Sequence, residues 1–100
     1  MKYTIYRLKD TDTAESMRFM GSDFWKKKGL TPVPALYEPI YTGEGLTDLE
    51  QIYQAFQGSK RPEDFKNYSL SVSDVVELGG VAYFCDSIGW RELTEWRAEA

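Results

Sequence analysis

Ser71, Ser73 and Asp74 are the most closely set side chains in this sequence that could take part in a reaction. A serine becomes a nucleophile only when a base takes its proton and an electrophile is held beside it. The chain has no histidine, so Ser–His–Asp and Cys–His pairs are excluded. Asp74 and Asp86 could share acid–base work, as paired carboxyl groups do. The strand register argued below sends them to opposite faces of a sheet, which weakens that idea. Ser and Asp at the entrance to a strand also have an ordinary role: their side chains bond nearby backbone groups and fix a turn. No base or electrophile accompanies the serines, so turn chemistry is the favoured reading. A small polar binding site at the strand entrance is the alternative.

Other reactive chemistry is sparse. The one cysteine, Cys85, lies in a predicted strand next to Asp86. It reads as a small buried hydrophobe, because a reactive thiol wants an exposed, electropositive setting. No intramolecular disulfide is possible, and one cysteine without histidine is a poor start for a zinc site. Neither GxxxxGKS nor GxGxxG occurs. The acidic stretch from Glu44 to Asp48 lacks the ligand spacing of a calcium-binding loop. Lys26, Lys27 and Lys28 read as a solvated helix end rather than an anion site. No cofactor and no enzymatic activity are expected. Aromatic residues make up 15% of the chain, including three tryptophans and seven tyrosines. Tryptophan and tyrosine are favoured binding anchors, although core and rim can account for them. The candidate binding residues are therefore Trp90, Trp96, Ser71, Ser73 and Asp74.

The elements that must position these residues centre on Gly79-Gly80, which lies between two runs rich in β-branched and aromatic residues. Two glycines supply the positive φ that a two-residue hairpin loop needs. That loop sets Leu78 opposite Val81, Glu77 opposite Ala82, Val76 opposite Tyr83 and Val75 opposite Phe84. Both faces of the hairpin are partly apolar, which places it inside a sheet. Tyr3 to Leu8 reads as a first strand. Helices are expected over Ala14 to Met20 and Phe24 to Lys28, the second capped by Ser22 and Asp23 and ended by Gly29. Thr31 to Pro34 is an extended connector. Leu36 to Tyr41 is a strand that Pro39 confines to an edge or a bulge, and Thr42 to Gly45 is a loop.

Thr47 and Glu50 have capping-box spacing before the clearest helix, residues 48–57. Its stripe is Leu49, Ile52, Tyr53 and Phe56. Ser59 to Phe65 could add one helical turn, with Phe65 and Tyr68 tucked inward. Trp90, Leu93 and Trp96 are spaced for a short helix, with an irregular strand from Arg91 to Leu93 as the near alternative. Arg97 to Ala100 is expected to fray.

One hundred residues make one domain, 1–100, and 42% apolar content is ample for a core. The net charge of −4 argues against a nucleic-acid backbone as partner. The acids are interleaved with 12 basic residues, so a DNA mimic is not strongly indicated either. No apolar run approaches a membrane span, and the N-terminus lacks a signal-peptide core, so a cytoplasmic protein is expected.

The run Ser69-Leu70-Ser71-Val72-Ser73-Asp74-Val75-Val76, followed by Tyr83-Phe84-Cys85-Asp86-Ser87-Ile88-Gly89-Trp90, resembles the signature of the YodL-like domain family. Tyr3 to Tyr6, Arg18 to Gly21, Gly29 to Pro32, Tyr37 to Pro39 and Arg61 to Phe65 fit the same resemblance. It covers nearly the whole chain. It implies a setting in Firmicutes and their mobile elements, and it carries over no catalytic site.

The expectation is a single α+β domain: a small antiparallel or mixed sheet of roughly 3–5 strands packed by two or three helices. The expected function is a cytoplasmic protein-interaction module, monomeric or weakly dimeric, of a mobile element acting on a host component. The alternative is a nucleic-acid-associated or DNA-mimic factor in conjugation or restriction evasion.

Overall fold

The computed structural model of the chain describes residues 1–96, so the expected fraying of Arg97 to Ala100 lies outside the described residues. The strands are β1 (Lys2–Leu8), β2 (Tyr37–Glu44), β3 (Val75–Leu78), β4 (Val81–Cys85) and β5 (Trp90–Glu92). The helices are α1 (Asp12–Ser16), α2 (Ser22–Lys27) and α3 (Leu49–Ala55). The strands form one five-stranded sheet in the order β2-β1-β3-β4-β5, antiparallel throughout.

The β3–β4 hairpin has the register that its glycines dictate. Val75 pairs with Phe84, Val76 with Tyr83, Glu77 with Ala82 and Leu78 with Val81. Gly79 and Gly80 take φ of 59° and 87°, the left-handed backbone such a loop requires. β1 joins the other side of β3, with Ile5 opposite Val76. β2 is an edge strand. Tyr41 pairs with Ile5 and Pro39 with Tyr6, so Ile40 is the extra residue of a bulge. An edge position and a bulge are where a residue without an N–H is tolerated.

Both faces of the sheet are covered. On one face Leu8, Val75, Ala82 and Phe84 meet Ala14 of α1, Trp25 of α2, Tyr37 and Trp96. On the other, Tyr3, Ile5, Val76 and Cys85 meet Ile52 of α3, Phe56, Phe65 and Leu70. Adjacent residues of β3 therefore belong to different cores, which is why the hairpin reads as apolar on both sides.

Four local expectations are corrected. β2 runs on through Thr42, Gly43 and Glu44 instead of ending in a loop at Tyr41, because Thr4, Tyr3 and Lys2 pair with them. A Cβ at position 43 would run into the Tyr3 phenol, so glycine there gives that ring its space. The first helix stops at Ser16, well short of Met20, and the chain turns through a left-handed Phe19. The cap of α3 is Asp48, which accepts from the Gln51 amide at 2.8 Å, and it is Gln51 Oε1 that accepts from the Thr47 amide at 2.9 Å, so the pair Thr47 and Glu50 does not form the cap. Trp90 to Trp96 is not a helix; the strand alternative holds, one residue earlier than Arg91 to Leu93, as β5. Gly89, at φ 70°, closes a turn in which the Asp86 amide donates to the Gly89 carbonyl, and the chain returns to set Arg91 opposite Phe84.

Candidate functional site

Asp74 is buried, and the reason comes from the far end of the sequence. Arg7 on β1 is also buried, and its Nε and Nη2 donate to the two Asp74 carboxylate oxygens at 2.9 and 2.7 Å. The same guanidinium donates to the Tyr68 and Ser69 carbonyls, each at 3.1 Å. The Ser71 amide donates to Asp74 Oδ2 at 2.8 Å. A buried ion pair is tolerable when its geometry is bidentate and its remaining polar atoms are matched, as here. Burial lifts the Asp74 carboxyl above the ordinary carboxylate range, against the downward pull of Arg7 and the Ser71 amide. Arg7 also carries the Tyr68 ring on its planar face, with 3.6 Å between the guanidinium carbon and the ring centre.

Ser73 performs the neighbouring task. Its amide donates to the Cys85 carbonyl at 2.9 Å, and its carbonyl accepts from the Tyr37 hydroxyl at 2.6 Å. Burial raises the Tyr37 phenol, so that proton stays in place. The Ser73 hydroxyl oxygen accepts from the Phe19 amide at 3.0 Å. Both bonded residues are left-handed without being glycine, Phe19 at φ 67° and Ser73 at φ 86°. Such a backbone costs about 1–2 kcal/mol per residue and persists only where its surroundings over-determine it. The Phe19 ring leans on Tyr68, with 5.5 Å between centres, and the two are 56% and 38% exposed. The inward-facing Tyr68 expected from the sequence is thus corrected: Phe65 fills the core and Tyr68 covers Arg7. Arg18 donates to the Leu8 carbonyl at 3.0 Å and to Asp10 at 3.2 Å. It borders a cleft of about 250 Å³ beside Tyr68.

The third loop of this end is held by Asp86. It accepts from the Ser22 amide at 3.0 Å, from the Ser22 hydroxyl and from the Ser87 amide at 2.8 Å. Gly21 lets this approach happen, since a Cβ there would come to 3.0 Å from both Asp86 Oδ1 and Ser87 Oγ. Ile88, next in the chain, is 93% exposed. Burial alone would raise the Asp86 carboxyl. The Ser22 and Ser87 bonds, with Arg91 nearby, outweigh it and hold the carboxyl below the ordinary range. A depressed carboxyl contributes stability that is present above the unfolded value of about 4 and is lost as pH falls through the folded value. The stability gap between the wild type and Asp86→Asn should therefore be widest near neutrality and close in acid. Urea unfolding across that range measures it, and a gap independent of pH would contradict this role.

The five residues singled out in the sequence have separate fates. Ser73, Asp74 and Trp96 are buried, out of reach of a partner. Trp96 packs edge-on against Tyr6 and Tyr37 at 5.3 and 5.4 Å, so its role as a surface anchor is corrected to core. Ser71 is half-buried and bonds the Ser69 carbonyl through its hydroxyl. Trp90 is half-buried against Tyr53 at 6.5 Å. The polar group forms a scaffold, with no nucleophile and base in register. Asp74 bonds Arg7 on one side of the sheet and Asp86 bonds Ser22 on the other, so they are not a catalytic pair. Burial pushes the Cys85 thiol up to about 12, which leaves it inert at neutral pH. Arg7, Phe19, Tyr68 and Ile88 were missed. Arg7 had a signal, because strict alternation puts it on the inner face with Tyr3 and Ile5.

This is a small α+β domain in which buried polar groups hold up an aromatic surface. The chain belongs to the YodL-like domain family, whose model matches residues 2–96. No curated protein and no solved structure matches it. No helix among the described residues is long and apolar enough to cross a membrane.

Proposed function

We propose that the domain is a non-enzymatic protein-binding module whose contact face is the loop end bearing Phe19, Met20, Tyr68 and Ile88. One observation carries the reading. Six large apolar side chains are exposed among the described residues, and these are four of them. Single exposed apolar residues are ordinary, but here Phe19 touches Tyr68 and Met20 adjoins it in the chain, and exposed apolar residues on loops tied to one another mark a contact surface. The loops that bear them are tied together by the Phe19–Ser73 and Ser22–Asp86 hydrogen bonds and the Phe19–Tyr68 contact. Aromatic anchors on a rigid base lose little entropy on binding. This face replaces Trp90 and Trp96 as the proposed contact. In the mobile-element setting that the resemblance implies, the partner would be a host component.

The test compares capture of one defined protein from a cell lysate by the wild type, by Phe19→Ser with Ile88→Ser, and by Val33→Ser. Val33 is also exposed but lies on another segment. The double variant should lose capture by about tenfold or more, the weight of a single anchor, while Val33→Ser retains it. Equal capture by all three would overturn the face. Salt-sensitive binding to an oligonucleotide by the wild type, undiminished in the double variant, would favour the nucleic-acid alternative instead.

A further inference from the structure

The buried hydroxyl of Ser73 has one feature that turn chemistry does not explain: it crosses to another loop. Its own backbone is fixed at both ends, by Cys85 on the amide side and by Tyr37 on the carbonyl side. The residue is almost wholly buried. Ser73 is therefore a fixed post, and the Phe19 amide it accepts belongs to the part that can yield. Residues 17–21 link two short helices, and the turn is made by a phenylalanine in a conformation that suits glycine. Within the turn, the Met20 amide donates to the Met17 carbonyl at 3.1 Å and the Trp25 indole to the Met20 carbonyl at 3.1 Å, while the segment's ends are held by the Arg18 amide on Glu15 and the Phe24 and Trp25 amides on Gly21. None of these reaches the Phe19 backbone. The Phe19 ring has an exposed partner, Tyr68, that it can leave without opening the core.

We infer that Ser73 is a positioning residue, a latch whose hydroxyl holds residue 19 left-handed and so sets the Phe19 ring against Tyr68. Without the acceptor, the turn relaxes to negative φ and the ring leaves the platform. The latch deepens the contact face proposed above and rests on that reading only for its consequence in binding. Its neighbour Asp74 positions the other ring, through Arg7, so adjacent residues of one motif each hold one member of the aromatic pair.

The experiment is residue-resolved amide exchange and ring-to-ring NOE measurement on the intact chain, for the wild type, Ser73→Ala and Phe19→Gly. In Ser73→Ala the Phe19 amide should exchange about tenfold faster or more, the effect of one lost hydrogen bond on a local opening. The Phe19–Tyr68 NOEs should vanish while the Val75 and Phe84 amides keep their protection. Phe19→Gly keeps the amide and relieves the strain, so residue 19 should remain as protected as in the wild type. That variant decides the matter even where Ser73→Ala does not fold. Unchanged exchange and NOEs in Ser73→Ala, or lost protection in Phe19→Gly, would overturn the latch. A released turn with undiminished partner capture would uphold the latch and overturn the face.

Discussion

Asp74→Ala is expected to destabilise the domain by about 3–5 kcal/mol, a large share of the roughly 5–15 kcal/mol typical of a domain. The loss comes less from the missing attraction than from what is left behind. Arg7 would remain buried with its charge uncompensated, and the Ser71 amide would lose its acceptor. Arg7 also bonds the Tyr68 and Ser69 carbonyls, so the 68–71 segment would loosen with it. Replacing both partners, Arg7→Met with Asp74→Ala, should recover part of the loss, since no charge is then stranded. Recovery should be incomplete because the two carbonyls lose their donor. Urea unfolding of the two single variants and the double variant closes the cycle. A loss below about 1 kcal/mol in Asp74→Ala would mean that the pair is solvated like a surface ion pair.

Phe56→Ala should cost a similar amount, about 3–5 kcal/mol, by a different cause. Phe56 is fully buried at the end of α3, and its ring meets Phe65, Tyr41 and Tyr3 at 4.9, 5.2 and 6.1 Å. Its carbonyl accepts from the Leu70 amide at 3.1 Å. Removing the ring leaves a cavity that β1, β2, the end of α3 and the Phe65 segment would have to close at once. The same denaturation experiment reads the effect. Trp90→Ala is the useful contrast, because Trp90 is half-buried and should lose distinctly less. Equal losses would contradict the division between core and rim.

Much of this fold is written locally in the chain. Gly79-Gly80 sets the hairpin and its register through backbone conformation alone. Pro39 marks the edge strand and its bulge because it lacks a donor. Leu49, Ile52, Tyr53 and Phe56 mark the helix that covers one face. The readings that failed are those decided at a distance. Trp90, Leu93 and Trp96 have helical spacing, but pairing with β4 outweighs it once Gly89 turns the chain. Thr42 to Glu44 read as a loop because the β1 residues that pair with them are about forty positions away. The polar group Ser71, Ser73 and Asp74 stands out in the sequence, but what it bonds does not, because Arg7 comes from β1 and Phe19 from the linker between α1 and α2. Nothing local marks Phe19, since a left-handed position without glycine leaves no signature in composition. Its role follows only from the Ser73 hydroxyl that reaches it.

The most direct measurement is site-specific photo-crosslinking in cells, with a photoreactive phenylalanine analogue in place of Tyr68, Ile88 or Val33. Positions 68 and 88 should give one and the same protein adduct, and position 33 should give none. Different adducts from 68 and 88, no adduct from either, or an equal adduct from 33 would contradict a contact face at this end of the sheet.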